Sequence, residues 1–154
     1  PDFIFAFPAY NMRNTEIGGL LGLKQLKRLD ANNLRRSENH KLFLELIDGT
    51  RYRKDFKSEG SSNYAFNLVL RDADDALMNR LMTKLRAEGV EFRRGSAGGG
   101  NQLRQPYLRG IVPDGAWKAY PQVDHVHFYG MYIGNFPDLS LQEVRDLCAI
   151  INAA

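Results

Sequence analysis

The densest group of hydrogen-bond donors in this sequence surrounds a glycine-rich stretch, Gly95-Ser96-Ala97-Gly98-Gly99-Gly100. Arg93 and Arg94 precede it; Asn101, Arg104 and Gln105 follow. Guanidinium forks match carboxylate and phosphate groups, and successive backbone N–H groups can cradle an anion. The stretch follows neither the GxxxxGK[ST] nor the GxGxxG pattern, so a generic phosphate loop is not the preferred reading. Its composition instead predicts a segment, Gly95 to Tyr107, that orders over a ligand or partner. A second anion-binding arrangement is formed by Asn11 and Arg13, just ahead of a predicted helix start. His125 and His127 lie two apart and would share a face on a strand, with only Asp124 close by. That set is too small for a metal site, so structural imidazoles are expected and no metal is assigned. No GxSxG motif and no pair of catalytic carboxylates is present. The residues support a binding half-site better than a complete active site.

The elements that must position these groups read as follows. Asn14 or Thr15 caps a first helix carrying Ile17, Leu20, Leu21, Leu23 and Leu26, with Glu16 in its first turn. Gly18, Gly19 and Gly22 in that helix predict close approach of another backbone or a partner subunit. A second helix spans about Asp30 to Ile47, with Leu34, Phe43, Leu46 and Ile47 inward and a lone His40 at the surface. Residues 63–71 alternate as a strand, and Asp72 or Asp74 then caps a helix bearing Leu77, Leu81, Met82 and Leu85 that ends at Gly89. Val90 to Arg93 reads as a short strand, 109–122 as irregular chain around Trp117, and 126–133 as a last strand broken by Gly130. Ser140 and Glu143 form a capping box for a final helix with Val144, Leu147, Cys148 and Ile151 inward. The order points to a small α+β sandwich.

The 154 residues are 44% hydrophobic and 25% charged, with a net charge of +3. This excludes wholesale disorder, a collagen and a coiled-coil rod, and predicts one domain with a proper core. No Lys/Arg block marks a nucleic-acid surface, and no apolar run approaches the ~20 residues needed to span a bilayer. Cys148 is the only cysteine, so no disulfide can form within the chain. A buried thiol in a reducing, cytoplasmic setting is the expectation. The chain opens at Pro1 on a strand-like run, Phe3 to Phe7, which predicts a piece of a longer protein.

Pro8-Ala9-Tyr10-Asn11-Met12-Arg13-Asn14-Thr15-Glu16-Ile17, with Gly22-Leu23-Lys24-Gln25-Leu26-Lys27-Arg28-Leu29-Asp30 after it, resembles a stretch of the DegT/StrS-type PLP-dependent sugar aminotransferases. The resemblance implies an α+β fold, the small C-terminal domain of an aspartate-aminotransferase-like (fold type I) PLP enzyme. That domain has a helix pair and a small, mainly antiparallel sheet with covering helices. Residues 1–13 would enter from a preceding large domain, and 14–154 would form the small domain. The active site would lie at a homodimer interface. Asn11 would reach the PLP phosphate of the neighbouring subunit, with Arg13 a further phosphate or sugar-nucleotide contact. The residue that carries PLP covalently matches none of the lysines here, so no catalytic residue is assigned to this chain.

Gly98 to Tyr107 and Phe128 to Pro137 are similar to the 3-dehydratase branch of that family. That branch removes the C3 hydroxyl of nucleotide-linked 4-keto-6-deoxyhexoses. Arg94, Asn101, Arg104 and Gln105 then become substrate contacts. Transamination and C3 dehydration both stay open, within lipopolysaccharide or other surface-polysaccharide biosynthesis. The alternative is an inactive, standalone interaction or ligand-binding domain derived from the family.

Overall fold

The computed structural model describes residues 6–7, 15–94 and 100–154. Asn11, Arg13, Asn14, most of the Phe3–Phe7 run and the glycines from Gly95 to Gly99 lie outside the described residues. Helix α1 (Glu16–Leu26) starts at Thr15, whose hydroxyl accepts from Gly18 N at 3.2 Å. It runs through a short turn into α2 (Leu29–Leu46). After a loop come β1 (Ala65–Val69), α3 (Asp75–Ala87) and β2 (Phe92–Arg94). Three short 3-10 turns, Gln102–Arg104, Pro106–Leu108 and Ala116–Ala119, lead to α4 (Pro121–Tyr129), β3 (Gly130–Gly134) and α5 (Leu141–Asn152).

β3 is the central strand. It pairs antiparallel with β1 on one side and with β2 on the other, with Phe66 and Phe92 both opposite Ile133. The inward faces meet a single core in which Phe43 of α2 stacks on Phe66 at 4.7 Å between ring centroids. Leu77, Leu81 and Leu85 of α3 and Val144, Cys148 and Ile151 of α5 complete it. Burial raises the Cys148 thiol to about 11, so it stays protonated and packs as a small hydrophobe. Asp74 caps α3 by accepting from Leu77 N at 2.9 Å, and Ser140 and Glu143 form the expected capping box on α5.

Several local expectations are corrected. Leu34 is 63% exposed, because nine residues at 100° each put it half a turn from Phe43. The inward stripe of α2 instead carries Asn39, His40 and Phe43. His40 is therefore not at the surface but 1% exposed, and desolvation lowers its pKa, which keeps the imidazole neutral. The strand expected over 126–133 begins only at Gly130. Pro121 pre-sets the first turn of a helix, and that helix takes residues up to Tyr129. Gly130 makes the junction possible: a Cβ there would sit 2.5 Å from Val126 O. The strand read over 63–71 is paired in the sheet only from Ala65 to Val69, and Tyr64 is exposed. Within the described residues Gly19 and Gly22 of α1 face open space, and Ile17 and Leu23 are exposed.

Buried Asn135 ties the end of β3 to its neighbours. Its amide donates to Asn63 O at 2.8 Å and to Arg36 O at 2.9 Å, and its Oδ1 accepts from Asn39 Nδ2 at 3.2 Å. Its backbone is spent as well, N–H on Tyr64 O and C=O on Arg36 Nε. We expect Asn135→Ala to destabilise the chain by about 2–4 kcal/mol, because carbonyls in a dry corner lose their donor. Asn135→Asp should also destabilise, since a carboxylate cannot donate to either carbonyl. Urea unfolding followed by circular dichroism checks both.

Candidate functional site

Residues 100–108 lie against α4 and are fixed by one carboxylate. Asp124, in the first turn of α4, accepts from Arg104 Nε at 2.6 Å through one oxygen and from Arg104 Nη2 through the other. The same Oδ1 accepts from Asn101 Nδ2 at 2.9 Å. Asn101 is buried, and its own Oδ1 accepts from Leu103 N, capping the first 3-10 turn. Its backbone N–H donates to His127 Nδ1 at 3.1 Å, which makes that nitrogen the unprotonated one. Gly100, at φ +51°, lies so close that a Cβ would fall 2.1 Å from His127 Nδ1. Only glycine allows the chain to approach the helix here.

The Arg104 guanidinium is also stacked. Its carbon lies 3.5 Å from the centre of the Trp117 ring and 5.0 Å from that of Phe128. A planar, weakly hydrated cation between two rings and a carboxylate is well suited to partial burial. Hydrogen bonds from Arg104, then from Asn101, hold the Asp124 carboxyl below its ordinary value, against the opposing effect of desolvation. The Arg104 pKa is raised in turn, chiefly by the same bonds. The expectation of a segment awaiting its ligand therefore does not describe residues 100–108, which their own domain holds in place.

Arg94 reaches the same helix from β2, where its Nη2 donates to Phe128 O at 2.6 Å. Gln105 is buried and lines a cleft with Arg104, Arg109 and Trp117. Arg94, Asn101 and Arg104, three of the four residues singled out as substrate contacts, thus reach α4, and Gln105 lines the cleft beside Trp117. Asn11 and Arg13 are outside the described residues. The two histidines do not share a face. His125 Nε2 lies 2.6 Å from Leu70 O and its ring packs on Tyr129, whereas His127 turns to Asn101. Two residues along a helix amount to about 200° of rotation. Among the described residues no group of three or more His, Cys, Asp and Glu could hold a metal.

Asp124 as anchor, and Trp117 as a wall, were missed from the sequence. Pro121 was the available signal. Reading a helix from it would have put Asp124, His127 and Phe128, at i, i+3 and i+4, on one face. A larger apolar cleft of about 520 Å³, lined by Phe92, Tyr132, Phe136, Leu147 and Ile150, contains none of the predicted site residues.

Residues 3–152 match the model of the DegT/DnrJ/EryC1/StrS aminotransferase family. A GDP-4-keto-6-deoxy-D-mannose 3-dehydratase of Yersinia pseudotuberculosis is 27% identical over 97% of this chain and 38% of its own length. The enzyme of that name from Escherichia coli O55:H7 is 28% identical over 59% of this chain and 24% of its own. The chain thus spans about two fifths, at most, of the curated relatives it matches. Among solved structures, the E. coli dehydratase with bound hydrated PLP superposes with a TM-score of 0.72 at 22% identity, covering 97% of this chain and 38% of that one. A Streptococcus pneumoniae protein named as a sugar aminotransferase gives 0.74 at 21% identity, over 95% and 36%. The fold, helices around a three-stranded antiparallel sheet, is the α+β arrangement of part of these fold type I PLP enzymes.

The Asp124 linkage has a definite sign. A carboxyl held below its ordinary value of 3.8 contributes stability above that pH, and the contribution is lost as pH falls through the lower folded value. We expect Asp124→Asn to cost about 1–3 kcal/mol near neutral pH, because the arginine keeps no anion. The gap between variant and parent should narrow as pH falls below 3.8 and the parent's carboxyl begins to take up its proton. Thermal melts across that range test it.

Proposed function

The chain belongs to the DegT/DnrJ/EryC1/StrS aminotransferase family, and on that premise we propose that it is the C-terminal part of a PLP-dependent enzyme acting on nucleotide-activated 4-keto-6-deoxy sugars. The observation that carries this reading is similarity along nearly the whole chain, including the Asn101–Pro106 segment, to a GDP-4-keto-6-deoxy-D-mannose 3-dehydratase. It favours removal of the sugar C3 hydroxyl. Transamination of the same class of sugar is the second reading, which the match to the aminotransferase family model keeps open. Surface-polysaccharide or lipopolysaccharide biosynthesis is the setting we assign to either reaction.

PLP, when bound, supplies an electron sink next to the reacting carbon. This chain's contribution is to hold and orient. Asn11 and Arg13 suit the phosphate end of the cofactor, since a carboxamide and a guanidinium offer neutral and charged N–H donors to a dianion. In the sequence they precede Thr15, the N-cap of α1, and a helix N-terminus favours an anion. We assign that phosphate to a neighbouring subunit, which makes the working enzyme a homodimer. Arg94, Asn101, Arg104 and Gln105 we assign to the substrate side, on a wall already set by Asp124. No described helix is long and apolar enough to cross a membrane.

The test uses the longer enzyme that contains this chain. Incubated with PLP, glutamate and a nucleotide-linked 4-keto-6-deoxyhexose, it should yield a 3-deoxy sugar by NMR. An amino sugar would establish the second reading, and absence of both products with no retained PLP would overturn the family reading for this chain. Asn11→Ala should weaken PLP retention by about 10- to 150-fold, the share of one hydrogen bond to a charged phosphate. Equilibrium dialysis of the cofactor measures it, and unchanged retention would remove Asn11 from the site.

A further inference from the structure

We infer that the edge of the sheet at β2 is a docking groove for an extended, apolar segment of a partner protein that carries a lysine or arginine. The groove is about 520 Å³, and Val90, Phe92, Ile133, Phe136, Leu147 and Ile150 give it its apolar lining. β2 is the last strand of the order β1-β3-β2, so among the described residues no strand pairs with its outer side. Its pairing with β3 stops where Phe92 lies opposite Ile133, whereas β1 follows β3 on to Gly134. The groove shares no residue with the cleft beside Trp117.

The lining comes from both sides of the sheet. Neighbouring residues of a strand point to opposite faces, yet Phe92 and Arg93 of β2 both border the groove, as do Ile133 and Tyr132 of β3. The space therefore wraps the strand edge, which suits a backbone whose side chains alternate in the same way. An unpaired strand edge offers N–H and C=O groups to such a backbone. On the α5 side, Leu147 and Ile150 are only partly buried against the core, so apolar side chains of a partner remove more of their surface from water. Elsewhere along the groove, Tyr64 is 69% and Phe136 62% exposed. Charge selects the partner. Three carboxylates, those of Glu91, Glu143 and Asp146, border the groove against the single cation Arg93. Arg93 lies 3.9 Å from Glu91, and Glu143 is tied to the Ser140 cap. Among the described residues the exposed Asp146 carboxylate accepts from the neutral Gln142 amide alone, at 2.8 Å. It is the anion that meets the partner's cation.

The test uses the longer enzyme that contains this chain and the fluorescein-labelled peptide Leu-Thr-Val-Thr-Leu-Lys, which alternates and ends on a cation. Its anisotropy should rise saturably, with half-saturation at about 100 μM. The same peptide with glutamate in place of lysine should bind about fivefold more weakly, the upper range for an exposed ion pair. Asp146→Lys should reverse that preference, and because Asp146 is exposed on α5 the fold is kept. Hydrogen exchange over residues 92–94 should slow in the complex, as pairing at the edge of β2 requires. Absence of saturable binding overturns the groove. Equal binding of the two peptides, or a preference that Asp146→Lys leaves unchanged, overturns the choice of a cationic partner. Binding with unchanged exchange over 92–94 overturns the strand edge as the place of docking. These readouts need neither PLP nor turnover, so they stand or fall apart from the sugar reaction.

Discussion

Everything the domain positions depends on how β3 leaves the sheet. Asn135 stands where the central strand ends, with its amide, its carboxamide oxygen and both backbone groups occupied by α2 and by the segment before β1. A buried carboxamide tolerates no half-measures, because each unmade bond costs most of a desolvation penalty. The full set of bonds made by Asn135 therefore fixes the angle between α2 and the sheet. It also fixes the point from which α5 returns to close the core. Arg35, on the same helix, adds two donations to Leu139 O just ahead of α5.

At the far end of β3, α4 carries the site. The helix enters the central strand directly, through Gly130, so its orientation is inherited from the sheet. Asp124 then transfers that orientation to residues 100–108 by holding Asn101 and Arg104 together. Arg104 passes it on to Trp117 by stacking. Within the domain, charge-assisted bonds and ring contacts offset part of the ordering entropy of a glycine-containing segment.

Helix α1 presents the opposite case. It has a well-formed N-cap and a row of leucines, yet none of its residues is buried. An apolar face of that size is stable in water only when something covers it. The chain spans 38% of the Yersinia relative's length.

Much of this was legible from local patterns. Capping residues act within one turn, so Thr15, Asp74 and the Ser140–Glu143 box were readable by spacing alone. The apolar stripes of α3 and α5 followed from a 3.6-residue period, and the family was readable from the motif around Asn11. Where two periods competed, local reading failed. Residues 126–129 alternate well enough for a strand, and only the helix begun at Pro121 claims them. On α2, Leu34 satisfied hydrophobicity but not phase, and His40 was buried because packing against α5 follows the stripe of Phe43. The pairing of Asp124 with Arg104 joins residues 20 apart, and that of Asn135 with Asn39 joins residues 96 apart. A sequence names such donors and acceptors, but which acceptor each donor meets is set by strand register and helix crossing. The residues able to bind an anion were determined by the sequence. That Arg104 is committed to a carboxylate and a ring, leaving Arg109 and Lys118 outward, was decided by the tertiary structure.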